Sequence, residues 1–227
     1  MLYGQSAMPL TGNAPKESGL RNPRSALSRR SKLFFVLKPP PSMSKEIYET
    51  ACGHAHGRTN RQPHPADLLH VSLLLMDEFD KPPHELKPRI EAAVGSISAR
   101  PLKVRLDGCD LYGGERHLAL TGGGNSVDIQ AFARMLHRAL TRHNLPRQAL
   151  RLPSPHVTII YGYGRRELLT VGKPYVWLAS EFALVYSHNG EGRHEEFGSW
   201  RFDAKAPPYP KPPTQLSLLT EPMVGIG

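Results

Sequence analysis

The period of the apolar positions switches between strand-like and helix-like along this chain, and the switches mark its elements. Residues 32–38 hold a Leu-Phe-Phe-Val-Leu run with the length and bulk of a buried strand, and Pro39, Pro40 and Pro41 stop it. Ser42 or Ser44 then caps a helix running to about Thr50, with Glu46 in the first turn, where the helix dipole favours a carboxylate. A loop over residues 53–65 leads to a second strand over 68–76. Pro82 and Pro83 open a helix in which Leu86, Ile90 and Val94 recur at helical spacing. Residues 102–111 and 117–121, joined through Gly113 and Gly114, read as a hairpin.

In the second half, Gly122, Gly123 and Gly124 lead to Asn125 or Ser126 as the cap of a long amphipathic helix. Val127, Phe132, Leu136 and Leu140 form its apolar face, and Arg134, Arg138 and Arg142 its polar one. Pro153 and Pro155 exclude helix before a short strand over residues 156–161. Residues 175–187 and 194–202 make the last strand pair around the Asn189-Gly190 turn. Alternating strands and helices with hairpins among them predict an α+β fold rather than a parallel doubly wound sheet. Five prolines between Pro207 and Pro213 place the end of the fold near residue 203. The expected organisation is a basic tail over 1–31, a domain over 32–203 and a Pro-rich tail over 204–227.

Composition narrows the setting. The 227 residues are 39% apolar and 22% charged, which suits a soluble globular domain, and no apolar stretch approaches the ~20 residues of a membrane span. Cys52 and Cys109 are too few for a disulfide scaffold, and no secretory signal opens the chain, so a reducing, cytoplasmic setting is expected. Lys16, Arg21, Arg24, Arg29, Arg30 and Lys32 against Glu17 give the first 32 residues a net +5 of the total +9. Without Lys32 the tail over 1–31 holds +4, so nearly half of the basic excess sits in a segment too poor in apolar residues to order itself. Its Arg- and Ser-rich, acid-poor make-up is also that of an organellar transit peptide, and a solvated tail is the simpler expectation.

The chemistry lies in a repeat. Leu69-His70-Val71-Ser72-Leu73-Leu74 and Pro155-His156-Val157-Thr158-Ile159-Ile160 lie 86 positions apart, each on an expected strand and each reading His, apolar, hydroxyl, apolar. Strand side chains alternate faces, so His70 shares a face with Ser72, and His156 with Thr158. If the halves pack about a pseudo-two-fold axis, two imidazoles and two hydroxyls surround one small anion. Two histidines suit a phosphodiester whose nucleophile or leaving group is a ribose hydroxyl: one accepts a proton as the other donates one, without a metal or a covalent nucleophile. Hydroxyls at Ser72 and Thr158 match the non-bridging phosphate oxygens. A single His-x-Ser/Thr is usually an ordinary strand histidine; a matched pair favours a site.

At these residues the chain resembles the 2H phosphoesterases, and within them the bacterial 2′-5′ RNA ligase and RNA 2′,3′-cyclic phosphodiesterase branch. The likeness rests on the two motifs and on the opening Lys32-Leu33-Phe34-Phe35-Val36-Leu37 strand before the prolines, and covers residues 32 to 203. It implies a bilobal fold with two antiparallel-sheet lobes and outer helices around a central cleft. It also implies hydrolysis of terminal 2′,3′-cyclic phosphate to 2′-phosphate, in some members reversible 2′-5′ joining of RNA, and no cofactor. By the same resemblance His156 is the general base and His70 the general acid, roles that near-symmetry allows to be exchanged. Two departures stand out. Ser72 replaces the commoner Thr and lacks its β-branched stiffness. Tyr161 stands where many members carry an arginine on the phosphate, which leaves Arg165 and Arg166 as the expected phosphate grip and Tyr161 and Tyr163 as rings able to stack on a base.

The remaining signals have plainer readings. Cys52, His54, His56 and His64 fit no standard zinc spacing and read as a solvated loop. Gly122-Gly123-Gly124 lacks the Lys-Ser/Thr of a P-loop and reads as a linker. The arginine stripe is a solvated face, His188 and His194 are surface residues beside a turn, and Trp177 belongs to the core. The expected partner is RNA ending in a 2′,3′-cyclic phosphate or a cyclic nucleotide, bound by a monomer. An RNA-binding module with little turnover and a hydrolase of small cyclic nucleotides or of ADP-ribose 1″,2″-cyclic phosphate are the competing readings.

Overall fold

A computed structural model of the chain describes residues 30–114, 116–122, 126–152 and 154–210. The expected basic tail thus lies almost wholly outside the described residues, as do Gly123, Gly124, Asn125, Pro153 and the chain after Pro210.

The first half contains β1 (Ser31–Leu37), α1 (Pro41–Ala55), β2 (Val71–Phe79) and α2 (Lys87–Gly95). The second contains β3 (Leu102–Leu106), β4 (Gly108–Tyr112), β5 (His117–Thr121), α3 (Ser126–Arg142), β6 (His156–Ile160), β7 (Tyr175–Ala179), β8 (Glu181–His188) and β9 (Arg193–Arg201). The α+β expectation holds, with antiparallel pairing throughout. One lobe is built on a four-stranded sheet in the order β2-β1-β8-β9. The other combines a three-stranded sheet, β4-β5-β6, with the pair β3-β7.

The internal repeat is a strand, a helix and a returning antiparallel strand. β1 returns through α1 as β2, with Leu37 opposite Val71, and β5 returns through α3 as β6, with Thr121 opposite His156. α1 packs against β6 and α3 against β2, so each unit's helix covers the other's returning strand. One continuous core results. It joins Leu33, Phe35, Ile47, Leu73, Phe132, Leu136, Val157 and Ile159, all under 3% exposed.

Several local expectations are corrected. α1 begins at Pro41 without a side-chain cap, because a proline in the first turn has no N–H to satisfy. The Ser44 hydroxyl instead donates to the Pro39 carbonyl at 3.4 Å. The helix runs on to Ala55, placing Cys52 and His54 on it rather than in a loop. The expected strand over 102–111 breaks at Asp107, and that over 175–187 at Ser180, because each run serves two sheets. Val127 is exposed instead of joining the apolar face of α3.

The fold also continues past residue 203. Ala206 is buried, its carbonyl accepts from Arg100 Nε, and the Tyr209 hydroxyl donates to the Arg100 carbonyl at 2.5 Å. No helix among the described residues is long and apolar enough to cross a membrane.

Candidate active site

His70 immediately precedes β2, and His156 opens β6. In both, Nδ1 lies against the carbonyl two residues upstream: Leu68 O at 2.7 Å for His70 and Ser154 O at 2.8 Å for His156. A carbonyl only accepts, so Nδ1 carries the proton in each ring and the Nε2 lone pair is left for other partners. Side-chain alternation brings Ser72 and Thr158 to the same side as their histidines, as the repeat predicted. His70, Ser72, His156, Thr158 and Tyr161 together line one cavity of about 90 Å³.

A cleft of about 1260 Å³ adjoins this cavity, sharing His70, Ser72 and Tyr161. It runs along the open face of the four-stranded sheet past Phe34 and Leu75 to Lys32, Arg30 and Arg193 beside the β8–β9 turn. Phe34 packs against both His70 and His194, with ring centroids at 5.2 and 5.8 Å. His194 meets His70 at 5.3 Å. It is therefore a wall of the cleft, which corrects its expected place on the surface. His188 is 13% exposed in its side chain and bonds Glu195 at 3.1 Å, so it too departs from that expectation.

His64 joins the same wall. The segment before His70 crosses the edge of β6, bridging Pro63 to Ile160 and donating the His64 N–H to Ile159 O at 2.7 Å. Its Nε2 is buried without a hydrogen-bond partner. Burial pushes the proton affinity of His64, His70 and His194 down to about 4. For His70 the neighbouring His194, His156 and Lys38 add to burial, while the Leu68 carbonyl opposes it. At neutral pH all three imidazoles are neutral.

On the other side of the cavity, Tyr112 stacks on His156 at 4.2 Å with ring planes 15° apart. Neither Tyr112 nor the His64–His194 wall was singled out by the sequence as part of the site. The available signal was the register: Tyr112 ends the strand that pairs with β5, which in turn pairs with β6.

The other expected site residues lie elsewhere. Arg165 and Arg166 are exposed on the loop after β6 and line neither the cavity nor the cleft. Tyr163 is 2% exposed; its hydroxyl donates to Glu167 O and accepts from His54 Nε2, both at 2.9 Å, so its ring is part of the core and does not stack on a base. Tyr161 does line the cavity, and is 47% exposed. His54 turns to Tyr163 and His64 to Tyr161, so the Cys52–His64 residues do not converge. Among the described residues no group of three His, Cys, Asp or Glu side chains is arranged to hold a metal ion.

Two α+β lobes that bring paired imidazoles and hydroxyls to one cavity define the class of 2H phosphoesterases. A family model described as the 2'-5' RNA ligase superfamily matches residues 39–191, and the chain belongs to that superfamily. Escherichia coli LigT, solved in complex with 3'-AMP, is similar at 21% identity with a TM-score of 0.64, over 77% of this chain and 99% of that one. A structure described as a phosphoesterase gives 21% identity, a TM-score of 0.61 and the same coverage. TT0787 of Thermus thermophilus gives 18% identity and a TM-score of 0.58 over 75% and 97% of the two chains. These likenesses are of fold. No curated protein matches the chain.

Proposed function

We propose that this protein hydrolyses the terminal 2′,3′-cyclic phosphate of RNA to a 2′-phosphate, using His70 and His156 as an acid–base pair and no metal. The observation that carries the reading is the convergence of two imidazoles, each with its Nδ1 proton held by a backbone carbonyl, and two hydroxyls on a cavity with room for a phosphate but not a nucleoside. The ribose and base would lie in the adjoining cleft.

In the reaction, the Nε2 lone pair of His156 takes a proton from water as the water oxygen bonds to phosphorus. The bond from phosphorus to O3′ breaks opposite, and O3′ takes a proton from His70 Nε2. Ser72 and Thr158 donate to the non-bridging oxygens, whose charge grows in the transition state. Without substrate His70 is neutral at pH 7, but an anionic phosphate within hydrogen-bond reach raises the proton affinity of an imidazole. The substrate therefore brings the acid into its charged form. These roles follow the resemblance.

The test is product formation from nucleoside 2′,3′-cyclic phosphates in the presence of a chelator, resolving 2′- from 3′-monophosphate. The native chain should give the 2′-phosphate, and His70→Ala and His156→Ala should each lose about 10²- to 10⁴-fold in rate. Undiminished hydrolysis by either variant, or loss of native activity in the chelator, would overturn the proposal.

A further inference from the structure

Tyr161 directly follows β6 and opens a turn in which Gly162 and Gly164 hold φ values of +66° and +65°. The Gly162 N–H donates to His117 Nδ1 at 3.1 Å, tying the turn to the start of β5. His117 then meets the Tyr161 ring at 5.0 Å and His64 meets it at 4.9 Å, with interplanar angles of 64° and 79°. The two imidazoles fix the orientation of the ring. It lines the small cavity together with Thr158. Burial raises the pKa of the phenol, so the O–H keeps its proton and remains a donor at neutral pH.

The rest of the lining decides what such a donor is for. His70, Ser72, His156 and Thr158 complete the wall, and no lysine or arginine is among them. Of two cations close to this region, Lys38 Nζ bonds Glu196 at 2.7 Å, and Arg61 is exposed beside Gly162 and does not line the cavity. Hydroxyl and imidazole donors can satisfy the oxygens of a singly charged phosphate. The imidazolium that His70 becomes beside an anionic phosphate balances one charge; a second negative charge, taken out of water with no lysine or arginine to meet it, is much costlier.

We infer that the Tyr161 hydroxyl donates to a non-bridging oxygen of the bound phosphate, completing a set of donors without a lysine or arginine that selects singly charged phosphodiesters over doubly charged phosphomonoesters. The inference rests on the reading of the cavity as a phosphate site and adds to it a specificity. A 2′-monophosphate, with its second ionisation near pH 6, leaves such a cavity readily at neutral pH.

Two measurements at pH 7.5 test it. In the first, Tyr161→Phe, which keeps the ring and its packing, should lose about a hundredfold in kcat on a nucleoside 2′,3′-cyclic phosphate with KM within about threefold of native. Native kcat in that variant would overturn the assignment even while native hydrolysis upheld the proposed reaction. In the second, calorimetric titration with adenosine 2′-monophosphate needs no turnover. Tyr161→Arg should bind it at least about tenfold more tightly than the native chain, since a cation beside a dianion is worth more than a neutral hydrogen bond. Equal affinity would overturn the selectivity. If the native chain hydrolyses no cyclic phosphate, the proposed reaction falls and the titration alone decides the role of Tyr161.

Discussion

His70 and His194 meet edge to face, with ring centroids 5.3 Å apart, although one precedes β2 and the other lies on β9 at the opposite edge of the same sheet. Together with His64 they form a wall of imidazoles that burial keeps neutral. In the unfolded chain these groups take up protons near their ordinary pKa of 6.5, and in the folded chain only near 4. Between those values the unfolded state binds more protons, so stability is complete above about 6.5 and is lost as pH falls towards 4. Urea midpoints measured from pH 7.5 down to 5 should fall steadily, and His194→Gln should flatten the slope. A midpoint that stays constant over that range would contradict the burial of these rings.

Tyr112 covers one face of His156 at 4.2 Å and so limits the orientations open to the imidazole. Aromatic pairs of this kind contribute about 0.5–1.5 kcal/mol. Tyr112→Ala should therefore reduce kcat/KM for a cyclic phosphate by about 3- to 10-fold, whereas Tyr112→Phe should retain most of it. The comparison of the two variants separates the stacked ring from the hydroxyl, which lies 3.4 Å from Ser154.

Gly122 marks a close approach of two backbones. A Cβ placed there would lie 1.9 Å from the Arg105 carbonyl oxygen, while the Gly122 N–H donates to Pro155 O at 3.1 Å, just before His156. Gly122→Ala has to move main chain, a change at or above the upper end of the usual 1–3 kcal/mol for overpacking. Chemical denaturation should show a loss of about 3 kcal/mol. A phosphate-cradling role for this residue would instead predict weakened ligand binding with unchanged stability.

A bridging sulfur distinguishes the acid from the base. A 2′,3′-cyclic phosphate with sulfur in place of O3′ expels a thiolate, which needs no proton at neutral pH. If His70 protonates O3′, the activity of His70→Ala should recover on this substrate by at least about tenfold relative to the oxygen compound, while His156→Ala gains nothing. The reverse pattern would exchange the two roles, and recovery in neither would remove acid catalysis from both.

Much of this architecture was legible because it depends on short-range patterning. Leu33 to Leu37, the His-x-Ser/Thr repeats and the apolar face of α3 announce their elements through period and bulk alone, and the duplicated motif brought His70, Ser72, His156 and Thr158 to one cavity as expected. The walls were not legible, because they are made by pairing at long sequence separation. His194 reaches His70 only because β8 pairs with β1, and Tyr112 reaches His156 only through β5. Local chemistry misled at Tyr163, where a ring near a motif suggested stacking. Its hydrogen bonds to Glu167 and His54, neither visible in a linear pattern, draw it into the core.

The exchange of helices between the two repeats, α1 onto β6 and α3 onto β2, makes the halves mutually obligate. The pairing of β8 with β1 ties them again through the sheet. Cut at the exposed Gly95–Ser96 link after α2, the chain would give two pieces that each lack the helix covering their returning strand. Neither piece should hold a cooperative fold alone, and mixing them should restore one by fragment complementation. The cleft is then less a hinge between two bodies than a seam in one, held open to substrate by an interlock that a rocking motion would have to break.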